Sequence, residues 1–209
     1  MTSELNFVHQ FTPGSSERTL LLLHGTGGNE HDLLPLGQEL DSAAALLSPR
    51  GPVSENGQPR FFRRLAEGIF DLEDLQRRTD DLTDFLLAAA QRYQFDLAKL
   101  VAVGYSNGAN IAVSILLRRP AVLRAAILLR AMVPFEPEQL PDLRGVRVWL
   151  AGGNEDPIIP RENTERLGEI LSDAGAEVTA RFFDAGHELT SGELVPTRHW
   201  LAGLSERPL

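Results

Sequence analysis

The sequence predicts an α/β fold built on one mostly parallel sheet. Three observations lead there. Short apolar runs alternate with amphipathic stretches along the chain. The runs are continuously apolar rather than alternating, which is the pattern of strands covered on both faces. The chain has 209 residues, 43% of them hydrophobic, enough to fill one core. A single domain over 1–209 is therefore expected.

The elements follow in order. Leu5–Phe11 and Thr19–His24 are β-rich runs joined by the turn cluster Pro13-Gly14-Ser15-Ser16, which predicts an antiparallel start. After Gly25-Thr26-Gly27-Gly28, a helix is expected from about Glu30 to Leu40, with Asn29 as its N-cap. Ala43–Ser48 reads as a short buried strand. Arg50–Gly68 reads as loop, punctuated by Pro52, Asn56-Gly57 and Pro59. Leu72, Leu75, Thr79, Leu82, Leu86, Ala89 and Tyr93 then recur at spacings of three and four. They form one face of a long helix that covers the sheet.

Leu100–Tyr105 is an apolar strand, and Gly108–Arg119 is an apolar helix stopped by Pro120. Ala125–Leu129, Val146–Leu150 and Val178–Phe183 are further strands. The helix between the last two ends near Gly175, and a final helix spans about Gly192–Leu204 with Ser191 as N-cap.

Composition removes several function classes. There are 20 Lys and Arg against 29 Asp and Glu, a formal charge of −9, which disfavours broad nucleic-acid binding. The absence of cysteine excludes a disulfide scaffold, thiolate zinc sites and a cysteine nucleophile. No apolar run approaches the roughly 20 residues that span a bilayer, so no membrane partner is expected. Met1–Gln10 lacks a basic segment followed by an apolar one, so no leader and a cytoplasmic location are expected.

One motif carries chemistry. Gly104-Tyr105-Ser106-Asn107-Gly108 fits G-x-S-x-G between a strand and a helix. A serine on that sharp turn is conformationally unfavourable, and glycines two residues to either side remove side chains that would collide. Its hydroxyl is then held at the C-terminal edge of the sheet and at a helix N-terminus, which favours developing negative charge.

A serine hydroxyl needs a base, and the base needs a carboxylate. With this motif the chain order is Ser, acid, His. Only His187 and His199 follow Ser106. His199 lies inside the last helix, whereas His187 follows a strand in Asp184-Ala185-Gly186-His187. Among the aspartates between, Asp142 precedes its strand, Asp173 ends a helix and Asp184 is only three residues from His187. Asp156 follows the strand Val146–Leu150 at the correct edge, with Glu155 as its nearest rival. A cap before Pro157 is the plainer role for Asp156. The expected oxyanion donors are the N–H groups of Thr26 and Asn107. The Gly25–Gly28 loop fits neither G-x-G-x-x-G nor the lysine-containing phosphate loop. His24 precedes the serine and reads as a packed loop residue.

Leu23-His24-Gly25-Thr26-Gly27-Gly28, Gly104-Tyr105-Ser106-Asn107-Gly108, Asp156-Pro157-Ile158-Ile159-Pro160 and Gly186-His187 together resemble the carboxylesterase/phospholipase family of small α/β-hydrolases. Ser48-Pro49-Arg50-Gly51 and Phe61-Phe62-Arg63-Arg64 resemble that family's loop before its first long helix. The resemblance spans nearly the whole chain. It implies the α/β-hydrolase fold: a mostly parallel, twisted sheet of the eight-strand type, flanked by helices, with no separate lid domain. It implies ester hydrolysis with no metal or organic cofactor, Ser106 as nucleophile, Asp156 as acid, His187 as base, and Thr26 and Asn107 as oxyanion donors. Many members carry glutamine after the serine, where this chain has Asn107. A homodimer is a reasonable expectation from the same resemblance.

Four arginines (Arg50, Arg60, Arg63, Arg64) against the single acid Glu55 stand out in an acidic chain. They read either as structural hydrogen-bonders or as a site rim for anionic or polar substrates. Phe61, Phe62, Ile69 and Phe70 read either as core or as an acyl pocket. The expected substrate contacts are Phe61, Phe62, Arg63 and Phe70, and the expected partner is a small-molecule ester. A thioesterase or lysophospholipase would use the same apparatus, and an inactive hydrolase-fold binder is the alternative outside enzymology. Dienelactone-type hydrolases share the fold, but resemblance to them calls for a cysteine nucleophile, which is missing here.

Overall fold

The computed structural model describes residues 5–204, so residues 1–4 of the segment read for a leader lie outside the described residues. In chain order, β1 (His9–Thr12) and β2 (Thr19–Leu23) precede α1 (Leu34–Leu40) and β3 (Ala45–Pro49). Two small hairpins follow, β4 (Val53–Glu55) with β5 (Gln58–Arg60), and β6 (Arg64–Ala66) with β7 (Ile69–Phe70). Next come α2 (Leu72–Tyr93), β8 (Leu100–Tyr105), α3 (Asn107–Arg118) and β9 (Ala125–Leu129). The chain continues through β10 (Arg147–Gly153), α4 (Arg161–Asp173), β11 (Glu177–Phe183) and α5 (Ser191–Gly203).

Seven strands form the central sheet in the order β1-β3-β2-β8-β9-β10-β11, where the resemblance implied an eight-strand type. All neighbours are parallel except β1 with β3. The antiparallel start is real, but the partner of β1 is β3 and not β2, with His9 opposite Pro49 and Thr12 opposite Leu46. Burial explains the exchange. Every residue of β2 is buried, so β2 needs neighbours on both sides, whereas β1 alternates half-buried and exposed and suits an edge.

Alternate residues of the strands feed two cores. Leu21, Leu23, Ala102, Leu128 and Leu150 face the layer of α2, α3 and α4, which contributes Leu82, Leu86, Ile111, Ile115 and Leu167. Leu20, Leu22, Val101, Val103 and Ile127 face the opposite layer, where Leu40 of α1 and Leu201 of α5 pack. The stripe read from α2 buries Leu75, Thr79, Leu82, Leu86 and Ala89. Gly175, left-handed at φ 98°, lies just beyond the end of α4.

Three local readings change. Helix α1 begins at Leu34 rather than Glu30, with Pro35 in its first turn, and Asn29 Oδ1 accepts from His31 N–H instead of capping it. The stretch read as loop, Arg50–Gly68, contains the β4–β5 hairpin and the first strand of the β6–β7 hairpin, all too short to show periodicity. Helix α5 is capped by Thr190, not Ser191, in a reciprocal box with Glu193.

Two close approaches set the turn from β8 into α3. A Cβ on Gly108 would lie 2.0 Å from Leu23 O, and one on Gly104 would lie 2.6 Å from Ala109 Cα. Both neighbours are backbone, which cannot swing aside. Gly108→Ala should therefore destabilise by about 1–3 kcal/mol, a Tm fall of roughly 2–12 °C. In Gly168→Ala the new Cβ meets only Leu150 Cδ2 at 3.6 Å, and thermal melting should show no loss.

A second prediction concerns acid. Arg50 donates to both oxygens of Glu30, at 2.5 and 2.7 Å, and holds its carboxyl down at about 2 from an ordinary 4.5. A depressed carboxyl stabilises the fold above its unfolded value and loses that effect as pH falls toward the folded value. Melting of the parent protein should drop steeply between about pH 4.5 and 2. Glu30→Gln should be less stable at pH 7 and flatter across that window; an unchanged acid limb would refute the role.

Candidate active site

Ser106 sits between β8 and α3 with φ 51° and ψ −113°, a left-handed conformation for a residue with a side chain. Such a backbone costs about 1–3 kcal/mol. Ser106 N–H on Leu129 O at 2.9 Å, and Asn110 N–H on Ser106 O at 2.9 Å, hold the turn in place.

His187 lies beyond β11, and its Nε2 is 2.9 Å from Ser106 Oγ while its Nδ1 is 2.8 Å from Asp156 Oδ2. A carboxylate only accepts, so Nδ1–H donates to Asp156 and the Nε2 lone pair faces the serine hydroxyl. Asp156 lies beyond β10, and its side chain is 2% exposed. Its Oδ1 also accepts from Ile158 and Ile159 N–H at 2.8 and 3.0 Å. The cap role is thus present too, and it leaves Oδ2 for the imidazole. Glu155 is exposed, Asp184 accepts from Asn154 Nδ2, and His199 is exposed on α5.

The loop that holds His187 is itself held. Arg130 Nε and Nη2 donate to Gly186 O at 2.9 Å and Glu188 O at 2.7 Å. Tyr105 OH donates to His187 O at 3.0 Å. Burial raises the Tyr105 phenol above its ordinary value, so it remains a donor. Arg130 also pairs with Glu193 at 2.6 Å. The sequence could not point to Arg130: it follows an apolar strand and belongs to no motif.

The loop after β2 is fixed by His24. Gly51 N–H donates to His24 Nε2 at 2.9 Å, so Nδ1 carries the proton and donates to Gly25 O at 2.7 Å. Burial lowers the imidazole's pKa, opposed by the hydrogen bond to Gly25 O, and the ring stays neutral. Gly27 N–H reaches Pro59 O at 2.9 Å, and Arg60 Nη1 donates to Thr26 Oγ1 at 2.6 Å. The N–H groups of Thr26 and Asn107 have no partner among the described residues, and both residues border the cavity at Ser106.

That cavity is about 190 Å3 and is walled by Thr26, Arg60, Arg64, Phe70, Asn110 and Met132 beside Ser106 and His187. Of the four expected contacts, only Phe70 is there. Phe61 and Phe62 have no exposed surface and belong to the core, because the chain between β5 and β6 tucks under α2 and α3. Arg63 points away, with 59% of its side chain exposed, and pairs with Asp71 at 2.6 Å. The arginine cluster divides. Arg50 and Arg63 are structural, bound to Glu30 and Asp71. Arg60 and Arg64 border the cavity while pairing with Glu55 at 3.2 and 2.8 Å. Among the described residues, no group of three or more His, Asp or Glu side chains is placed to hold a metal ion, and no helix is long and apolar enough to cross a membrane.

Comparison with known proteins agrees with this architecture. Residues 50–193 match the dienelactone hydrolase family. A protein of Bacillus subtilis (strain 168) carrying the name hydrolase MhqD is 50% identical over 192 residues, covering 92% of this chain and 96% of the relative. The crystal structure of a Bacillus cereus carboxylesterase superposes with a TM-score of 0.91 at 50% identity, covering 93% and 92% of the two chains. A carboxylesterase from Mesorhizobium loti gives 0.87 at 33% identity, covering 91% and 90%. The lack of cysteine, which argued against a dienelactone-type assignment, does not separate this chain from that family. A match across more than half its length makes the chain an α/β-hydrolase of the dienelactone hydrolase family.

Proposed function

We propose that the protein is a serine esterase acting on small carboxylic esters through an acyl-enzyme. The observation that carries this is the unbroken relay from Ser106 Oγ through His187 to Asp156, at 2.9 and 2.8 Å. The likeness to two carboxylesterases supports the same reaction class.

Ser106 Oγ attacks the ester carbonyl as its proton passes to His187 Nε2. Asp156 keeps the ring in the tautomer that can accept it and stabilises the imidazolium. The Thr26 and Asn107 N–H groups donate to the oxyanion, aided by the N-terminus of α3. His187 then protonates the departing alcohol, and the same nitrogen takes a proton from water as it attacks the acyl-enzyme; the bond from the acyl carbon to Ser106 Oγ then breaks, releasing the acid as His187 returns that proton to Oγ. These residues carry every proton and electron pair, so the route needs no metal or organic cofactor. A cavity of about 190 Å3 lies below the roughly 300–1,000 Å3 of drug-sized sites. That size favours short acyl groups over the long chain of a lysophospholipid.

Ser106→Ala should lose at least about 10^3-fold in kcat on p-nitrophenyl acetate and all labelling by a fluorophosphonate. Near-parental turnover would overturn the reading. Asp156→Asn keeps an oxygen for Ile158 and Ile159 N–H and therefore presents its NH2 to His187 Nδ1. It should fall about 10^4-fold in kcat with little change in Tm. A variant that melts normally and turns over normally would remove Asp156 from the mechanism.

A further inference from the structure

Asn107 and Asn110 lie in the first turn of α3, and both border the cavity beside Ser106. They are 2% and 4% exposed. Each has its side-chain oxygen committed to a backbone donor. Phe61 N–H donates to Asn107 Oδ1 at 2.7 Å, and Met132 N–H donates to Asn110 Oδ1 at 2.9 Å. An amide NH2 does not accept from an N–H, so these donors decide which end of each carboxamide is oxygen. The two NH2 ends are therefore oriented, and both are unused. Asn107 Nδ2 is buried without a partner, and Asn110 Nδ2 has none among the described residues.

Buried donors without partners are uncommon because burial removes their water and offers nothing in exchange. Asn107 Nδ2 is one such donor, and Asn110 Nδ2 stands unpaired one helical turn on at the cavity wall; beside the nucleophile, the two call for an acceptor. The surrounding wall does not pair them. Arg60 and Arg64 are donors, Tyr105 OH is engaged with His187 O, and Glu67, the one carboxylate among the described residues bordering the cavity, makes no hydrogen bond to either carboxamide.

We propose that the carboxamides of Asn107 and Asn110 bind a second oxygen of the substrate, a carbonyl, hydroxyl or ether oxygen in the acyl chain. The substrate class is then esters of short oxygenated acids in preference to plain alkanoic esters. This rests on Ser106 being the nucleophile. The acyl group is the part of the substrate that stays bonded to Ser106, and the helix that opens at Ser106 carries both carboxamides. A plain alkyl chain in the same place would leave the two NH2 groups desolvated and unpaired, so the site discriminates by penalty as well as by attraction.

The test compares p-nitrophenyl 4-oxopentanoate with p-nitrophenyl pentanoate. Each kcat/KM is divided by the ester's own hydroxide rate, which removes intrinsic reactivity. The parental ratio should be about tenfold in favour of the oxo ester, the worth of one good hydrogen bond. Asn110→Asp keeps an oxygen for Met132 N–H and replaces only the NH2. Asn110→Ala removes both. Both variants should bring the ratio to near one. A purely structural Asn110 would instead show an unchanged ratio in Asn110→Asp, and that result overturns the proposal. Asn107→Ala is the second position, with the same expected fall. A parental ratio of one or less, or ratios unmoved in all three variants, also overturns it and leaves the esterase reading standing. No hydrolysis of either ester, together with no fluorophosphonate label on Ser106, defeats both.

Discussion

Arg130, just past the end of β9, has no exposed surface and a left-handed backbone at φ 55°. Its guanidinium reaches both oxygens of Glu193, at 2.8 and 2.6 Å, and the carbonyls of Gly186 and Glu188. Tyr105 OH takes the carbonyl between them. Three consecutive carbonyls, 186 to 188, are thus fixed by two side chains from neighbouring strands. A buried ion pair is weak evidence for net stability, since two desolvated charges largely cancel the Coulomb gain. Here its worth lies in direction. A guanidinium is a rigid planar fork, so it transmits the positions of β9 and α5 to the backbone on either side of His187.

Glu193 couples this brace to a helix start. The same carboxylate accepts from Thr190 N–H at 3.0 Å in the box that opens α5. Removing the acid would therefore uncap α5 and strand a buried cation at once. The opposite wall of the site is built without an ion pair at its centre. His24 joins Gly25 O to Gly51 N–H as a neutral ring, and Arg60 reaches Thr26 from the β4–β5 hairpin. Protonating His24 would set an N–H against Gly51 N–H and open that wall.

The parts of the site legible in the sequence are those fixed by chain direction. A parallel strand ends at one edge, so Ser106 after β8, Asp156 after β10 and His187 after β11 arrive together, and chain order separated His187 from His199. The glycines of the motif were legible for a related reason: their need is local, set by the turn from β8 into α3. What was not legible depends on packing between distant segments. Phe61 and Phe62 could be core or pocket by composition, and only the tuck of the 60s segment under α2 decides for core. Beside them Arg60 and Arg64 turn to the cavity and Arg63 does not, a choice set by the short pairings of β5, β6 and β7. The exchange of β1 for an edge position had a readable cue, the alternation of His9 to Thr12 against the continuous burial of Thr19 to Leu23, which a two-strand hairpin reading ignored.

Ser106 is one of four non-glycine residues with positive φ among the described residues, and its backbone is supported on both sides. Its left-handed backbone is held by Leu129 O on one side and by the first turn of α3 on the other. Neither support involves its side chain. The hydroxyl is thereby left with one engagement among the described residues, His187 Nε2, and that bond is the one the proposed reaction uses. The same separation recurs at Asp156, where one carboxylate oxygen serves the fold through Ile158 and Ile159 and the other faces the imidazole. It recurs at Asn107 and Asn110, where the oxygen serves the backbone and the NH2 is spare. At Asp156, Asn107 and Asn110 the side chain is anchored to backbone through one atom, which orients the other. Loosening an anchor would therefore erode function before the fold itself gave way, because the free atom loses its direction at once while the surrounding core remains packed.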